Sequence, residues 1–324
     1  MRKPSITLQI EPELNPAQHS APVLTLEHGI WRGRFNAMAS DCEILMEGLD
    51  QPSAILLLHI AAVETWRIEY KFSRYRTDNV MARINQSNGG ALSIDAETNS
   101  LLDFADQCYQ LSDGLFDISS GVLRTIWRFD GSDNIPSEEE INSLLAHIGW
   151  PKIIRRVVDR QMMLTLPAGM ELDLGGLGKE YAVDRSLYLM QQKLLSNNPH
   201  KRCSILVNYG GDLACSGARL NNAPWSIAVE SIQMPNDASA HVKLSGGAVA
   251  TSGDVNRFLL KDGVRYSHVL NPQTGQSVTD APHSVSVAGE TCMQAGMLST
   301  MASLYGENAE GFLQAQEVEY WIQG

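Results

Sequence analysis

The segment Asp173-Leu-Gly-Gly-Leu-Gly-Lys-Glu-Tyr-Ala-Val-Asp184 sets three glycines within four positions directly ahead of a lysine and a helix-forming run. Glycine lets the backbone turn sharply and lets a ligand approach it closely. The pattern therefore predicts a tight turn delivering the chain into a helix that starts near Leu177. Such a helix aims its first N–H groups and its positive dipole end at one spot, and Lys179 adds a full charge there. That combination suits a phosphate or pyrophosphate. It serves equally as a strand-to-helix turn whose glycines are needed for packing alone. It is neither G-x-x-x-x-G-K-[ST] nor G-x-G-x-x-G, so neither common nucleotide fingerprint applies.

Elsewhere the periodicity alternates between helix and strand. Alternating apolar residues from Trp31 to Gly48 predict a hairpin bending at Met38-Ala-Ser40. Pro52 opens a long helix with Ile55, Leu58, Ala62 and Trp66 on one face. A second helix runs from Ala96 to Leu111, with Gly114 just past its end. Ser137-Glu-Glu-Glu140 has the form of a capping box. Strands are expected at Val157–Leu166, Ser204–Tyr209, Trp225–Glu230, His241–Leu244 and His283–Val287, with a helix from Lys179 to Leu194 between the first two. The run from Cys292 to Tyr305 reads as a buried helix, apolar almost all round. No regular βαβ rhythm emerges, which favours an α+β fold over a doubly wound sheet. The expectation is one compact unit over residues 29–324, preceded by a Pro- and Glu-rich flexible arm over residues 1–28.

Bulk properties narrow the function. A net charge of −12 over 324 residues disfavours general nucleic-acid binding, so a phosphate-bearing ligand must be held by a small, directed site. The five cysteines are scattered without a C-x-x-C pair, which indicates neither a disulfide framework nor a zinc site. No apolar leader follows Met1-Arg2-Lys3, and the longest apolar run, Ala54–Val63, is too short to span a bilayer. A cytoplasmic location without a membrane span is the expectation.

Several polar groups sit at glycine-marked turns. Asn208-Tyr-Gly-Gly-Asp212 follows an apolar strand, and Asn208, Gly210, Gly211 and Asp212 suit either a ligand cradle or a plain turn. Asp113-Gly-Leu-Phe-Asp117 brackets a turn with two carboxylates, a pattern more often structural than catalytic. Tyr75 lies in a polar loop where an aromatic ring can stack on a planar ligand. His268 stands between strand-like residues and a Pro-x-Thr-Gly turn, and histidine can serve as acid or base near neutrality. Thr251-Ser-Gly-Asp254 offers hydroxyls without a hydrolase pattern. Ser299-Thr300 lies in the buried helix, where hydroxyls either bond back to the preceding turn or face an ion.

Taken in order, Met38-Ala-Ser40, Phe72-Ser-Arg-Tyr75, Asp113–Asp117, Asp173–Lys179, Asn208–Asp212, Ala250-Thr-Ser-Gly253, His268-Val-Leu-Asn-Pro-Gln-Thr-Gly275 and Ala295-Gly-Met-Leu-Ser-Thr300 resemble the FAD:protein FMN transferase, or ApbE, family. The resemblance implies FAD as substrate, Mg2+ at its pyrophosphate, and transfer of FMN to a Thr or Ser hydroxyl of a target flavoprotein, with AMP leaving. By the same match, Met38, Tyr75, Leu115, Phe116, Asp117, Asp173, Lys179 and Val269 line the FAD site. The match also implies His268 as the base on the incoming hydroxyl, and Gly176, through its carbonyl, with Ser299 and Thr300 as holders of the metal. Two positions depart from the pattern. Gly296 stands where the family has its metal-binding aspartate, and Glu180 follows Lys179 where the family more often has glycine. Loss of the one carboxylate implies a weakened magnesium site, with Asp280 or Glu290 as carboxylates that could compensate, and it implies that Gly296→Asp raises activity. Three outcomes remain open at this level: FMN transfer, FAD binding with transfer lost, and FAD pyrophosphate hydrolysis.

Overall fold

A computed structural model describes residues 5–15, 19–130, 132–197, 200–230, 238–253 and 258–323. Asp254 of the hydroxyl-rich turn lies outside the described residues. The architecture is a nine-stranded sheet with helices packed on one face. The strands are β1 (Ser5–Thr7), β2 (Val23–Glu27), β3 (Ile30–Ala37), β4 (Ser40–Glu47), β5 (Ala91–Ile94), β6 (Ile154–Val158), β7 (Gln161–Thr165), β8 (Ser204–Tyr209), β9 (Asp212–Cys215), β10 (Trp225–Glu230), β11 (Ala238–Leu244), β12 (Gly247–Gly253), β13 (Phe258–Lys261), β14 (Val264–Ser267), β15 (Ser284–Gly289) and β16 (Tyr320–Gln323). The large sheet runs β1-β2-β3-β4-β8-β9-β12-β15-β16, antiparallel at every step. Antiparallel pairing with helices on one side is the expected α+β arrangement. β1 and β2, within the segment read as an arm, form the first edge of this sheet.

The α-helices are α1 (Gln51–Phe72), α2 (Val80–Asn85), α3 (Ala96–Leu111), α4 (Glu138–Leu145), α5 (Gly178–Asn197), α6 (Cys292–Leu304) and α7 (Ala309–Ala315). Asp50 caps α1 by accepting from the Ser53 backbone N–H at 3.0 Å, and the helix buries Leu58, Ala62 and Trp66 as its spacing requires. It approaches the sheet at Gly33, where a Cβ would fall 2.7 Å from Leu58 Cδ1. The Ser137–Glu140 capping box is present on α4. α5 packs on α1, β8 and β9, while α6 packs on β12, β15 and α5. Small residues (Ala295, Gly296, Ser299, Ala302, Ser303) make α6 thin enough to be buried along most of its surface.

The other face of the sheet is covered by the β10–β11 hairpin, whose Trp225, Val242 and Leu244 pack on Leu206, Leu213 and Val249. A separate cluster joins α4 and the β13–β14 hairpin around Leu123, Trp127, Ile141 and Leu259. One expectation needs correction. Val157–Leu166 is not a continuous strand but the hairpin β6–β7, reversed at Asp159-Arg160, both with positive φ (49° and 64°). No glycine or asparagine announces that turn.

Candidate active site

Strand register gathers the turns named in the sequence at one end of the large sheet. Cys42 pairs with Tyr209, which levels the Met38-Ala39 bend with the Gly210-Gly211 turn. Leu213 pairs with Val249, which brings Thr251 and Ser252 to the same end. The Gly210 backbone N–H donates to the Asp41 carbonyl at 3.0 Å. Gly210 has φ 62°, and a Cβ there would lie 2.7 Å from Ser40 Oγ. The close turn therefore requires glycine. Asn208 Oδ1 accepts from the Gly211 N–H at 3.0 Å and rigidifies the same loop.

Lys179, in the first turn of α5, lies with its Nζ 2.8 Å from Asp212 Oδ2. Burial works against the ammonium charge, but the Asp212 carboxylate outweighs it and raises the Lys179 pKa. Burial also raises the Asp212 carboxyl, whose Oδ1 accepts from the Thr251 N–H at 3.3 Å. A directed cation thus stands beside two glycine turns at a helix N-terminus, the arrangement an anionic diphosphate needs.

The Asp173-Leu-Gly-Gly turn leads into this helix. Asp173 Oδ1 accepts from the Gly175 N–H at 2.8 Å, leaving Gly175 and Gly176 exposed at the apex. Its Oδ2 accepts from Arg74 Nη1, and Arg74 Nη2 donates to the Tyr75 hydroxyl at 2.8 Å. The Arg74 guanidinium also sits 5.0 Å from the Tyr75 ring centroid. Tyr75 is 77% exposed, so its ring forms the lip of the site. Arg74 was passed over in the sequence, although it lies in the same Phe-Ser-Arg-Tyr run.

The Asp113–Asp117 turn is tied to its neighbours. The Asp173 N–H donates to the Ile118 carbonyl at 2.8 Å. Asp117 Oδ1 accepts from the Ser119 N–H (2.8 Å) and Oγ (2.6 Å), and its Oδ2 accepts from the Trp150 N–H (2.9 Å). Both carboxylate oxygens are engaged inside the protein. Phe116 is buried in the main core, with Leu115, Met38 and Val269 half-buried against it.

His268 follows β14 at the mouth of the Asn271–Gly275 loop. Gln273 Nε2 donates to the Asp113 carbonyl at 3.0 Å, and Trp127 Nε1 donates to the Gly275 carbonyl at 2.9 Å. Gly275 has φ 68°, and a Cβ there would strike Ile141 Cγ2 at 2.5 Å. The His268 ring meets Phe129 edge-on, with centroids 6.4 Å apart. The histidine is therefore presented on a braced loop.

On α6, Ser299 Oγ bonds back to the Gly296 carbonyl at 2.9 Å. The Ser252 hydroxyl bridges Ser299 Oγ and Thr300 Oγ1, each at 2.9 Å. Glu180 of α5 lies against Gly296: the three atoms nearest to a Cβ built there all belong to Glu180. Asp280 instead sits beside Gly306, past the end of α6, and Glu290 precedes the helix. Among the described residues, no group of three or more His, Cys, Asp or Glu side chains is arranged to hold a metal by itself.

A model of the ApbE family matches residues 38–322. The chain belongs to the ApbE family. Its relatives in that family include the FAD:protein FMN transferase of Escherichia coli strain K12, 29% identical over 90% of this chain and 81% of the relative. The FAD:protein FMN transferase of Vibrio cholerae serotype O1 is 28% identical over 73% and 70%. The ApbE protein of Thermotoga maritima superposes with TM-score 0.79 at 30% identity, covering 90% of this chain and 94% of that one. The apo flavinyl transferase ApbE of Pseudomonas stutzeri shares the fold, with TM-score 0.76 at 24% identity over 90% of each chain. The mixed helices and antiparallel sheet are thus the ApbE architecture.

Proposed function

We propose that this ApbE-family chain is an FAD:protein FMN transferase, and that the sheet-end cluster around Lys179 is where FAD is held. The observation that carries the reading is the Lys179–Asp212 pair, set between the Gly210-Gly211 turn and the Gly-rich start of α5. The family membership and the transferase relatives support it. In this reading Lys179 and the α5 N-terminus bind the pyrophosphate, Tyr75 covers the flavin or adenine ring, and Asp173, held by Arg74, keeps the turn in place. Leu115, Phe116, Asp117, Val269 and Met38 shape the walls, and Asn208, Gly210 and Gly211 bring backbone close to the ligand.

The chemistry asks for little more. A Thr or Ser oxygen of the target flavoprotein attacks the FMN phosphorus, the bond from that phosphorus to the bridging oxygen breaks, and AMP leaves with that oxygen. His268 accepts the hydroxyl proton. Magnesium belongs to the proposal too. The Ser299 and Thr300 hydroxyls and the Gly176 carbonyl are hard oxygen donors that suit it, and Glu180, which lies against Gly296 on the same helix as the two hydroxyls, has a buried carboxylate oxygen without a hydrogen-bond partner. When bound, Mg2+ supplies neutralisation of pyrophosphate charge. The binding-only alternative rests on the missing carboxylate at position 296, and the Glu180 carboxylate against Gly296 supports transfer over it.

A cytoplasmic location is part of the proposal. It is supported by five free cysteines, of which burial pushes the Cys42 and Cys108 thiols up to about 12. Among the described residues, no helix is long and apolar enough to cross a membrane.

The test is incubation of purified protein with FAD, MgCl2 and an acceptor domain bearing a threonine. Flavin fluorescence that stays with the acceptor after denaturation supports transfer. Unchanged FAD, or free FMN plus AMP with no labelled acceptor, overturns it in favour of binding or hydrolysis.

A further inference from the structure

Glu180 and Gly296, the two positions that the sequence resemblance marks as departures from the ApbE pattern, touch each other. A Cβ added to Gly296 would lie 2.5 Å from Glu180 Cγ, 2.8 Å from Oε1 and 3.1 Å from Cδ. Two of these distances are under 3 Å, so any side chain at position 296 forces the buried Glu180 side chain out of its place. The contact is set by helix registry. Asp184, one turn beyond Glu180 on α5, accepts from the Cys292 and Met293 N–H groups at 2.8 and 2.9 Å. It caps α6 from outside and pins the first turn of α6 against α5. Moving one turn back along α5 and one turn forward along α6 brings Glu180 over Gly296.

The Glu180 side chain has the marks of a ligand lacking its partner. The residue is 8% exposed, and its buried Oε2 has no hydrogen-bond partner. A buried carboxylate oxygen left this way is costly, and native structures rarely keep one without a reason. The nearby cation, Lys179, is already paired with Asp212. Across the contact, Ser299 and Thr300 are three and four residues beyond Gly296, so their hydroxyls share its face of α6. Ser252 holds both hydroxyls in place.

We propose that Glu180 and Gly296 are an exchanged pair, in which Glu180 reaches across from α5 to supply this chain's divalent-cation carboxylate and Gly296 makes room for it. The inference rests on the transferase reading only for the identity of the ion's other partner, the FAD pyrophosphate. Glutamate carries one more methylene than aspartate, which lets a neighbouring helix deliver the oxygen that α6 itself does not. It follows that adding a carboxylate at position 296 without removing Glu180 is harmful, the reverse of the sequence-based expectation.

The experiment is a double-mutant cycle read by Mn2+ binding, followed by the paramagnetic signal of the free ion, with FAD present and absent. Glu180→Gln keeps the shape and removes the charge. It should weaken Mn2+ binding about ten- to a hundredfold with little change in thermal unfolding. Glu180→Gly should weaken binding to a similar degree. Gly296→Asp alone should lower the unfolding temperature without tightening Mn2+. The double variant E180G/G296D should recover affinity to near that of the parent, a non-additive result that reports direct exchange. Unchanged Mn2+ affinity in E180Q, or a double variant no better than E180G, overturns the proposal. FAD calorimetry on the same samples separates the two readings: FAD that binds and is transferred while E180Q leaves Mn2+ unaffected sinks only the exchange. Absence of FAD binding by the parent protein sinks the transferase reading whatever Mn2+ does.

Discussion

Lys179 Nζ lies 2.8 Å from Asp212 Oδ2, joining the first turn of α5 to the first residue of β9. The Asp212 side chain is 3% exposed against 28% for Lys179, so the carboxylate depends on the lysine more than the reverse. Lys179→Met should leave a buried charge and cost about 3–5 kcal/mol of stability, seen as a lower urea midpoint. The pair variant K179M/D212N removes both charges and should regain most of that loss. Neither variant should regain FAD affinity, expected to fall about ten- to a hundredfold with one charge-assisted contact to the diphosphate. If K179M/D212N binds FAD like the parent, Lys179 is a structural partner of Asp212 and nothing more.

Asp117 is better described as a fastener than as a ligand, because three donors from Ser119 and Trp150 already fill its oxygens. Asp117→Ala strands those donors and should lower stability by about 2–4 kcal/mol. FAD affinity of the folded fraction should change only a few-fold. Paired denaturation and calorimetry check this. A stable D117A protein that has lost FAD altogether would restore the carboxylate to the ligand shell.

Local signals carried most of the secondary structure. β8, β10 and α3 occupy the ranges expected from periodicity and from the Gly114 stop, since each is bounded by strong turn chemistry. The Asp159-Arg160 reversal was hidden because arginine seldom adopts positive φ, and an aspartate not followed by glycine is a weak turn signal. β1 and β2 are short strands in a Pro-rich stretch, and their pairing on a sheet edge is a tertiary outcome that propensity does not encode. The site is similar. Its turns were visible as glycine motifs, but their convergence depends on register between strands distant in sequence. Glu180 was visible only as an oddity beside Lys179. Its meeting with Gly296 follows from the Asp184 cap on α6, a contact between two helices that no single window of sequence contains.

His268 is braced by the Asn271–Gly275 loop and by the Phe129 ring, so its substitution should leave the fold and FAD binding largely intact. His268→Ala should lower the rate of transfer about 10²–10⁴-fold, the usual share of a general base. The FAD dissociation constant should shift only a few-fold. Single-turnover transfer to an acceptor domain, with FAD saturating, measures the first quantity without the second. An unaltered rate in H268A would assign the proton to another group.

Glu97 at the start of α3 ties α1 to α5, accepting from Arg67 (2.6 and 2.9 Å), Lys71 (2.6 Å) and the Tyr181 hydroxyl (2.8 Å). Burial alone would raise its pKa, but the bonds from Arg67, Lys71 and Tyr181 win and hold the carboxyl at about 2. A carboxyl lowered on folding stabilises the native state fully above its unfolded value, about 4.5, and loses that contribution as pH falls toward 2. The network is half-exposed and screened, so its worth is about 1–2 kcal/mol. Glu97→Gln should therefore cost that amount at pH 7, while parent and variant converge below pH 3. Urea midpoints measured from pH 7 down to pH 2 check the convergence. A constant gap between the two proteins across that range would mean that the loss in E97Q comes from packing at the α1–α3–α5 junction and not from the charge.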